Sequence, residues 1–385
     1  MEKIYITDET AARILKDYEA DKPDYIAFDT ETTGLNIITD KAFLIIVGWE
    51  QHIYCFEPTR QTLFILYELF KKANMVFGHN VKYDMHMLTN TGFNYSMDEI
   101  KWSDTMILAR LCLYADDENQ SLALKRLSKK YVSKEADIDE KIVKSELMLI
   151  NKRNRALLDN MLKERHSMTL KQFNSICDDI EQGFDTLPED VQETYYQWEK
   201  DFGEATYADV PREIMLKYAF NDVYLTLELV KKFVPVVKAR KQVKTWLREN
   251  ACIVPFYRQE RIGFKVDEKY LETCKVRLRK YIQERRELFY ELAGRVVNIG
   301  QHAELKKLYK EKWNVTLTSV SKTELPFHIN EMPQEAKDFT NLLLELRSLE
   351  KWYSTYIMKF VRTITNGRIY TQIQQARYCV WTYIK

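Results

Sequence analysis

The sequence predicts an α/β domain built on a mixed sheet, followed by a mainly helical region. Three observations carry this. Over roughly the first 110 residues, short apolar runs of strand length alternate with stretches of helical spacing. From about residue 133 the strand signals stop and charged patterns with 3-4 spacing take over. Ten glycines and eight prolines in 385 residues leave little material for long flexible or repetitive segments.

Taken in order, Tyr25–Phe28 reads as a strand, bounded by Pro23-Asp24 and by Gly34. Ala42–Trp49 and His52–Phe56 are two further strands, separated by Glu50-Gln51 as in a hairpin. Leu63, Leu66, Tyr67 and Phe70 follow at helical spacing, then Met75–Phe77 as a fourth strand. A helix from about Asn80, a short strand at Lys101–Ser103 and a helix from Asp104 complete the sheet. Residues 133–209 read as a charged helical insertion with an acidic end. A helix resumes at Pro211, a favoured first-turn residue, and is expected to run to about Lys232. In the second half Asp267 is expected to cap a helix that Gly294 stops. Leu271, Cys274, Leu278, Tyr281, Leu288 and Leu292 form its packing stripe, and Leu342, Leu346, Leu349, Tyr353, Tyr356 and Phe360 repeat the spacing.

The net charge of +1 is a cancellation. Residues 171–209 hold eleven acidic and two basic side chains, whereas residues 231–290 hold seventeen basic and seven acidic. A segment of the second kind suits phosphate backbones. The six cysteines form no CxxC pair and no Cys/His cluster, which excludes a zinc or disulfide scaffold. The longest uncharged apolar run, Phe43–Trp49, is far short of the ~20 residues a membrane span needs. The N-terminus lacks a signal-peptide pattern, so the expected setting is cytoplasmic, with no membrane partner.

Phe28-Asp29-Thr30-Glu31-Thr32 places two carboxylates two residues apart at a strand end, where they project on the same side. Such a pair repels or shares cations, and a hard divalent ion such as Mg²⁺ suits it. Asn80 and Asp84 are four apart on a helix that follows a strand, and Tyr218 and Asp222 are four apart on a later helix. Asp104, at another strand-to-helix junction, reads as an N-cap rather than a ligand.

In this order the three segments resemble the motifs of the DEDD superfamily of 3′–5′ exonucleases. The Tyr four residues before the last Asp marks the variant (DEDDy) found in proofreading domains of DNA polymerases. The resemblance implies an RNase H-like exonuclease domain over residues 1–232. Asp29, Glu31, Asp84 and Asp222 would there hold two Mg²⁺ ions, replaceable by Mn²⁺, around a scissile phosphate. It further implies that Tyr218 orients the attacking water or helps deprotonate it, that Leu35 rests on the terminal base, and that Asn80 and Tyr83 line the frayed single strand.

Arg258–Asp267, Ala293-Gly294 with Val297-Asn298-Ile299, and Leu346–Tyr356 are similar, again in order, to the start of the polymerase domain and its thumb in family A (bacterial polymerase I type) DNA polymerases. Residues 233–385 would then be the helical N-terminal part of such a domain, with the basic segment facing duplex DNA. Gly367–Thr371 resembles the strand that leads towards the palm. Tyr370-Thr371-Gln372-Ile373 lacks the metal-binding Asp of the first palm motif, and no palm segments follow before Lys385. The implied protein is a phage-like exonuclease of DNA 3′ ends and primer-templates, without polymerase activity from this chain alone. Its setting would be a bacterial or phage-infected cytoplasm, and a split polymerase would add a separate palm subunit. Two other readings compete: an RNase D-like exoribonuclease, which shares the acids, and a DNA- or partner-binding subunit.

Overall fold

The computed structural model describes residues 1–113, 121–177 and 184–375. Two compact units are present, one holding Met1–Arg261 and the chain from Gln372, the other Ile262–Thr371.

Six strands form the sheet of the first unit: β1 (Glu2–Ile6), β2 (Ile26–Thr32), β3 (Ala42–Gly48), β4 (His52–Phe56), β5 (Val76–Gly78) and β6 (Trp102–Asp104). Their order is β1-β4-β3-β2-β5-β6. Strands β2, β3 and β4 pair antiparallel, while β1 joins β4, β5 joins β2 and β6 joins β5 in parallel, so the sheet is mixed as expected. Strand β2 runs four residues past the apolar run Tyr25–Phe28, because Asp29, Thr30 and Glu31 keep pairing with Ile46, Ile45 and Leu44 of β3. The ladder becomes irregular between Glu31 and Thr32. Strand β1 and helix α1 (Ala12–Asp21) carried no clear signal, since β1 is an edge strand with Glu2, Lys3 and Tyr5 exposed.

Around the sheet lie α2 (Arg60–Lys72), α3 (Val81–Thr91), α4 (Thr105–Cys112) and α5 (Leu124–Tyr131). The insertion supplies α6 (Ile138–His166), α7 (Leu170–Cys177) and α8 (Glu189–Asp201), and then α9 (Arg212–Ala239), α10 (Val243–Ala251) and α11 (Ile253–Ile262) follow. Helix α9 covers the sheet centre, packing Ala219, Val223 and Leu227 on Ala27, Leu44, Ile46 and Ile53. It continues past Lys232 through Pro235, which forfeits one backbone donor. Phe233 and Val237 stay buried beyond the expected stop, and that burial carries the helix on. Helix α6 belongs to two cores. Val143 joins the core under the sheet, whereas Leu158 and Leu162 join a satellite cluster with Phe173, Leu187, Val191 and Trp198.

The second unit pairs β7 (Phe264–Lys265) antiparallel with β8 (Arg368–Ile369) and is otherwise helical. It contains α12 (Glu268–Ala293), α13 (His302–Trp313), α14 (Leu325–His328), α15 (Gln334–Trp352), a π-helical turn over Tyr353–Met358 and α16 (Lys359–Thr363). Asp267 caps α12 by accepting from the Tyr270 N–H, and Gly294 ends it at φ 77°, both as expected. The packing stripe holds at Leu271, and Leu278 and Leu292 pack partly buried against the core, but it shifts register in between. Ile282, Phe289 and Ala293 are buried, while Tyr281 and Leu288 are exposed, a turn of ~100° that one residue position produces. Phe289 stacks on Phe339 at 4.6 Å, and Tyr281 instead donates its hydroxyl to Glu345. On α15 the stripe holds through Leu342 and Leu346, and it continues to Tyr353 at the start of the π turn. The π turn then adds a residue to the repeat, leaving Tyr356 and Phe360 exposed.

Among the described residues no disulfide joins the five cysteines; Cys379 and the residues from Ala376 lie outside the described residues. Among the described residues no helix is long and apolar enough to cross a membrane.

Candidate active site

The predicted acids stand on three elements: the end of β2, helix α3 and helix α9. Side-chain alternation along β2 sends Asp29 and Glu31 to one side. Glu31 is 4% exposed, Asp84 1% and Asp222 6%, whereas Asp29 still reaches solvent in part. Asp84 is fixed by Thr30, whose N–H (3.0 Å) and hydroxyl (2.6 Å) both donate to its Oδ1. Its Oδ2 is buried without a partner, and so is Oε1 of Glu31. Bare buried carboxylate oxygens are costly, so native folds rarely keep them without a use.

The electrostatics show the same crowding. Burial pushes Asp29 up to about 7, against the pull of the Lys125 ammonium. Burial, and then the charge of Asp29, raises Glu31 and Asp84 well above the ordinary carboxylate range. Tyr218, half-buried on α9 one turn before Asp222, is raised well above its usual value by burial and by Glu31 and Asp29. Its ring meets that of Tyr207 edge-on at 6.1 Å.

The start of α3 departs from its expected form. Asn80 takes a left-handed conformation (φ 66°) ahead of the first helical turn, so it does not share a helix face with Asp84. The turn needs Gly78, where a Cβ would lie 2.7 Å from Val81 Cγ2. Asp104 is a cap twice over. Its Oδ1 accepts from Asn80 N (3.0 Å) and Met106 N (2.8 Å), and its Oδ2 accepts from Val81 N (3.0 Å). The Tyr83 hydroxyl donates to the Gly34 carbonyl at 2.6 Å and lies 2.7 Å from the Thr32 hydroxyl. It thereby holds the loop that presents Leu35, whose side chain is 84% exposed.

Sequence reasoning missed Lys125. From α5 its ammonium makes an ion pair with Asp222 Oδ1 and stands 4.6 Å from the centre of the Tyr218 ring. Burial lowers its pKa to about 8, opposed first by Asp29. The readable signal is a lysine inside the buried face of an amphipathic helix, one turn before Ser128 and close to Leu127. Among the described residues no three His, Cys, Asp or Glu side chains are drawn close enough to close a metal shell, and the cation facing the acids is Lys125. The donor set nonetheless fits hard divalent ions, being all carboxylate with two buried oxygens unpaired.

Residues 3–163 match the family model described as 3′-5′ exonuclease, of the DNA polymerase A type. That stretch contains Asp29, Glu31 and Asp84; Tyr218 and Asp222 lie beyond it. Among solved structures the chain is similar to the POL domain of Pol1 from M. smegmatis, in complex with DNA primer-template and dNTP. The TM-score is 0.60 at 14% identity, covering 97% of this chain and 52% of that one. The chain thus shares that overall fold and spans about half the length of its neighbour. No curated protein matches the sequence.

Proposed function

We propose that the chain is a divalent-metal-dependent 3′–5′ exonuclease acting on DNA 3′ ends. What supports this most is the mutual crowding of Asp29, Glu31 and Asp84, with unpaired buried oxygens on Glu31 and Asp84, and Asp222 tied to the same group through Lys125. In this reading residues 1–232 are the nuclease domain, with 133–209 inserted, and residues 233–385 are the helical, polymerase-like part that meets primer-template DNA.

The four carboxylates would hold two Mg²⁺ ions, which when bound supply an activated water and neutralise charge at the scissile phosphate. Thr30 keeps one oxygen of Asp84 occupied and the other free, which fixes the direction of its remaining lone pairs. Tyr218 stays protonated at neutral pH, because burial and two nearby carboxylates hold its pKa high. It therefore orients the attacking water by hydrogen bonding and does not take its proton. Leu35 is presented by the loop that Tyr83 holds and rests on the terminal base, with Asn80 and Tyr83 along the approach of the single strand.

The test is digestion of 5′-labelled single-stranded DNA with Mg²⁺, with RNA of the same sequence in parallel. The expected result is a ladder shortening from the 3′ end, abolished by EDTA and by Asp29→Ala with Glu31→Ala. Undiminished digestion by the double variant sinks the site. Faster digestion of RNA than of DNA gives the case to the exoribonuclease reading.

A further inference from the structure

A cavity of about 470 Å³ opens beside Tyr218 and Asp222. Two elements wall it: α5, through Lys125, Arg126 and Lys129, and the first turns of α6, through Lys141 and Lys144. Set against these five cations are Asp222, Asp137 and Glu140, so the wall is net positive. The neutralisation within it is partial. Lys129 (2.8 Å) and Lys141 (3.1 Å) share the single carboxylate of Asp137, Lys144 pairs with Glu140, and Arg126 is exposed with no ion pair among the described residues.

This part of the insertion is rooted, not loose. Val143 is fully buried in the core under the sheet, with Leu147 packed against the same cluster. Lys141 and Lys144, three residues apart, share a helix face and are held towards the cavity. Charge is thus polarised along this stretch of chain. Helix α5 and the start of the insertion, residues 125–144, carry seven basic and four acidic side chains, while the far part of the insertion, 171–209, is strongly acidic.

We propose that the first two turns of α6 are a phosphate-binding wall of the nuclease cleft. Lys141 and Lys144, with Arg126 and Lys129 of α5, bind the phosphodiester backbone of a single strand next to the nucleotide being removed. The proposal rests on the exonuclease reading of the neighbouring acids. The cavity is lined by Tyr218 and Asp222 themselves, so a nucleic-acid strand whose end lies at the acids comes within reach of this wall, which favours a nucleic-acid backbone over an acidic peptide.

The experiment uses the full chain carrying Asp29→Ala and Glu31→Ala, so that binding is read without cleavage. Affinity for oligo-dT and oligo-rU is measured across a salt series. Adding Lys141→Glu and Lys144→Glu should make the log–log salt slope shallower by about 1.4, at ~0.7 per lost single-strand phosphate contact. Lys141→Gln with Lys144→Gln should shift it in the same direction. Lys152→Glu with Arg153→Glu, exposed on the same helix roughly 16 Å further along, should leave it unchanged. In the nuclease-competent chain the Lys141/Lys144 reversal should raise KM several-fold and largely spare kcat, the mark of lost uniform binding. An unchanged slope overturns the proposal, as does an equal loss from the Lys152/Arg153 pair. Binding of poly-glutamate but not of either oligonucleotide, dependent on the same lysines, also overturns it in favour of an acidic partner. Oligonucleotide binding with the expected slopes in a protein that never cleaves DNA removes the exonuclease reading and leaves the wall standing.

Discussion

Helix α3 carries two buried acid clusters, and they are opposite in kind. On one side Asp84 has one oxygen held by Thr30 and the other bare, beside Asp29 and Glu31. On the other side Glu260 of α11 is saturated. Its carboxylate takes the Lys82 ammonium, the His86 Nε2 at 2.7 Å and the Ile373 N–H at 2.6 Å, with Lys82 also bonded to the Ile373 carbonyl at 2.6 Å. Burial pushes both carboxyls up, but at Glu260 the bonds from His86, Lys82 and Ile373 outweigh it and hold the pKa below the usual range. At Asp84 the Thr30 bonds do not suffice. An acid the fold uses for itself is surrounded by donors, because an unpaired buried charge is too costly to keep. An acid left bare is kept for something the polypeptide does not supply.

The largest expected effects separate the two sides. Asp29→Ala with Glu31→Ala should lower Mg²⁺-dependent nuclease activity by ~1000-fold or more, given the several kcal/mol that metal-assisted stabilisation contributes. It should cost little stability, since it removes carboxylates that burial disfavours. Glu260→Ala should do the reverse in kind, costing ~3–5 kcal/mol in urea unfolding by stranding Lys82 in the interior. Equal losses of stability on the two sides would erase the distinction.

A smaller effect lies in the pH dependence of the metal-free protein, where the two sides have opposite signs. Asp29 has a folded-state pKa raised from 3.8 to about 7. Its contribution to stability is present below the unfolded value and is lost as pH rises through about 7. Glu260 has a lowered folded-state pKa, so its contribution is present above the unfolded value and is lost as pH falls through the folded one. In EDTA, Tm should therefore fall between about pH 4 and about pH 7 more steeply in the wild type than in the Asp29/Glu31 double variant. Mg²⁺ should raise Tm more on the alkaline side of that window, because the carboxylates bind it as anions.

The bare cluster was far more legible in the sequence than the saturated one. Asp29 and Glu31 on a strand, and Tyr218 and Asp222 on a helix, are local spacings, and local spacing is what a period of 2.0 or 3.6 reveals. Most of the sheet was readable for the same reason, from apolar runs bounded by turn residues. What joins distant positions was not. Nothing local places Lys125 on Asp222, Glu260 between Lys82 and His86, or Thr30 on Asp84. Asn80 was placed inside a helix because its neighbours fit one, yet Asp104, 24 residues on, caps its N–H and holds it outside. The exposed Tyr281 and Leu288 of α12 and the shift after Tyr353 arose where partner helices and a π turn, not the repeat itself, decided which side was buried.

The smallest expected effect concerns Tyr218, which faces the bare acids and contributes no carboxylate. Tyr218→Phe keeps the ring and its contact with Tyr207 but removes the hydroxyl proposed to orient the water. A protonated phenol that only orients water is worth less than general acid–base catalysis at ~100–10,000-fold, so a fall of ~10-fold in kcat is expected. That fall is smaller than the loss from any one of the four carboxylates. Because burial and the charges of Glu31 and Asp29 hold the phenol above its ordinary value of 10.0, wild type and variant should show pH–rate profiles of the same shape below that pH, displaced vertically. A rise with pH in the wild type that Tyr218→Phe abolishes would make Tyr218 a base, contradicting the electrostatics that keep its proton in place.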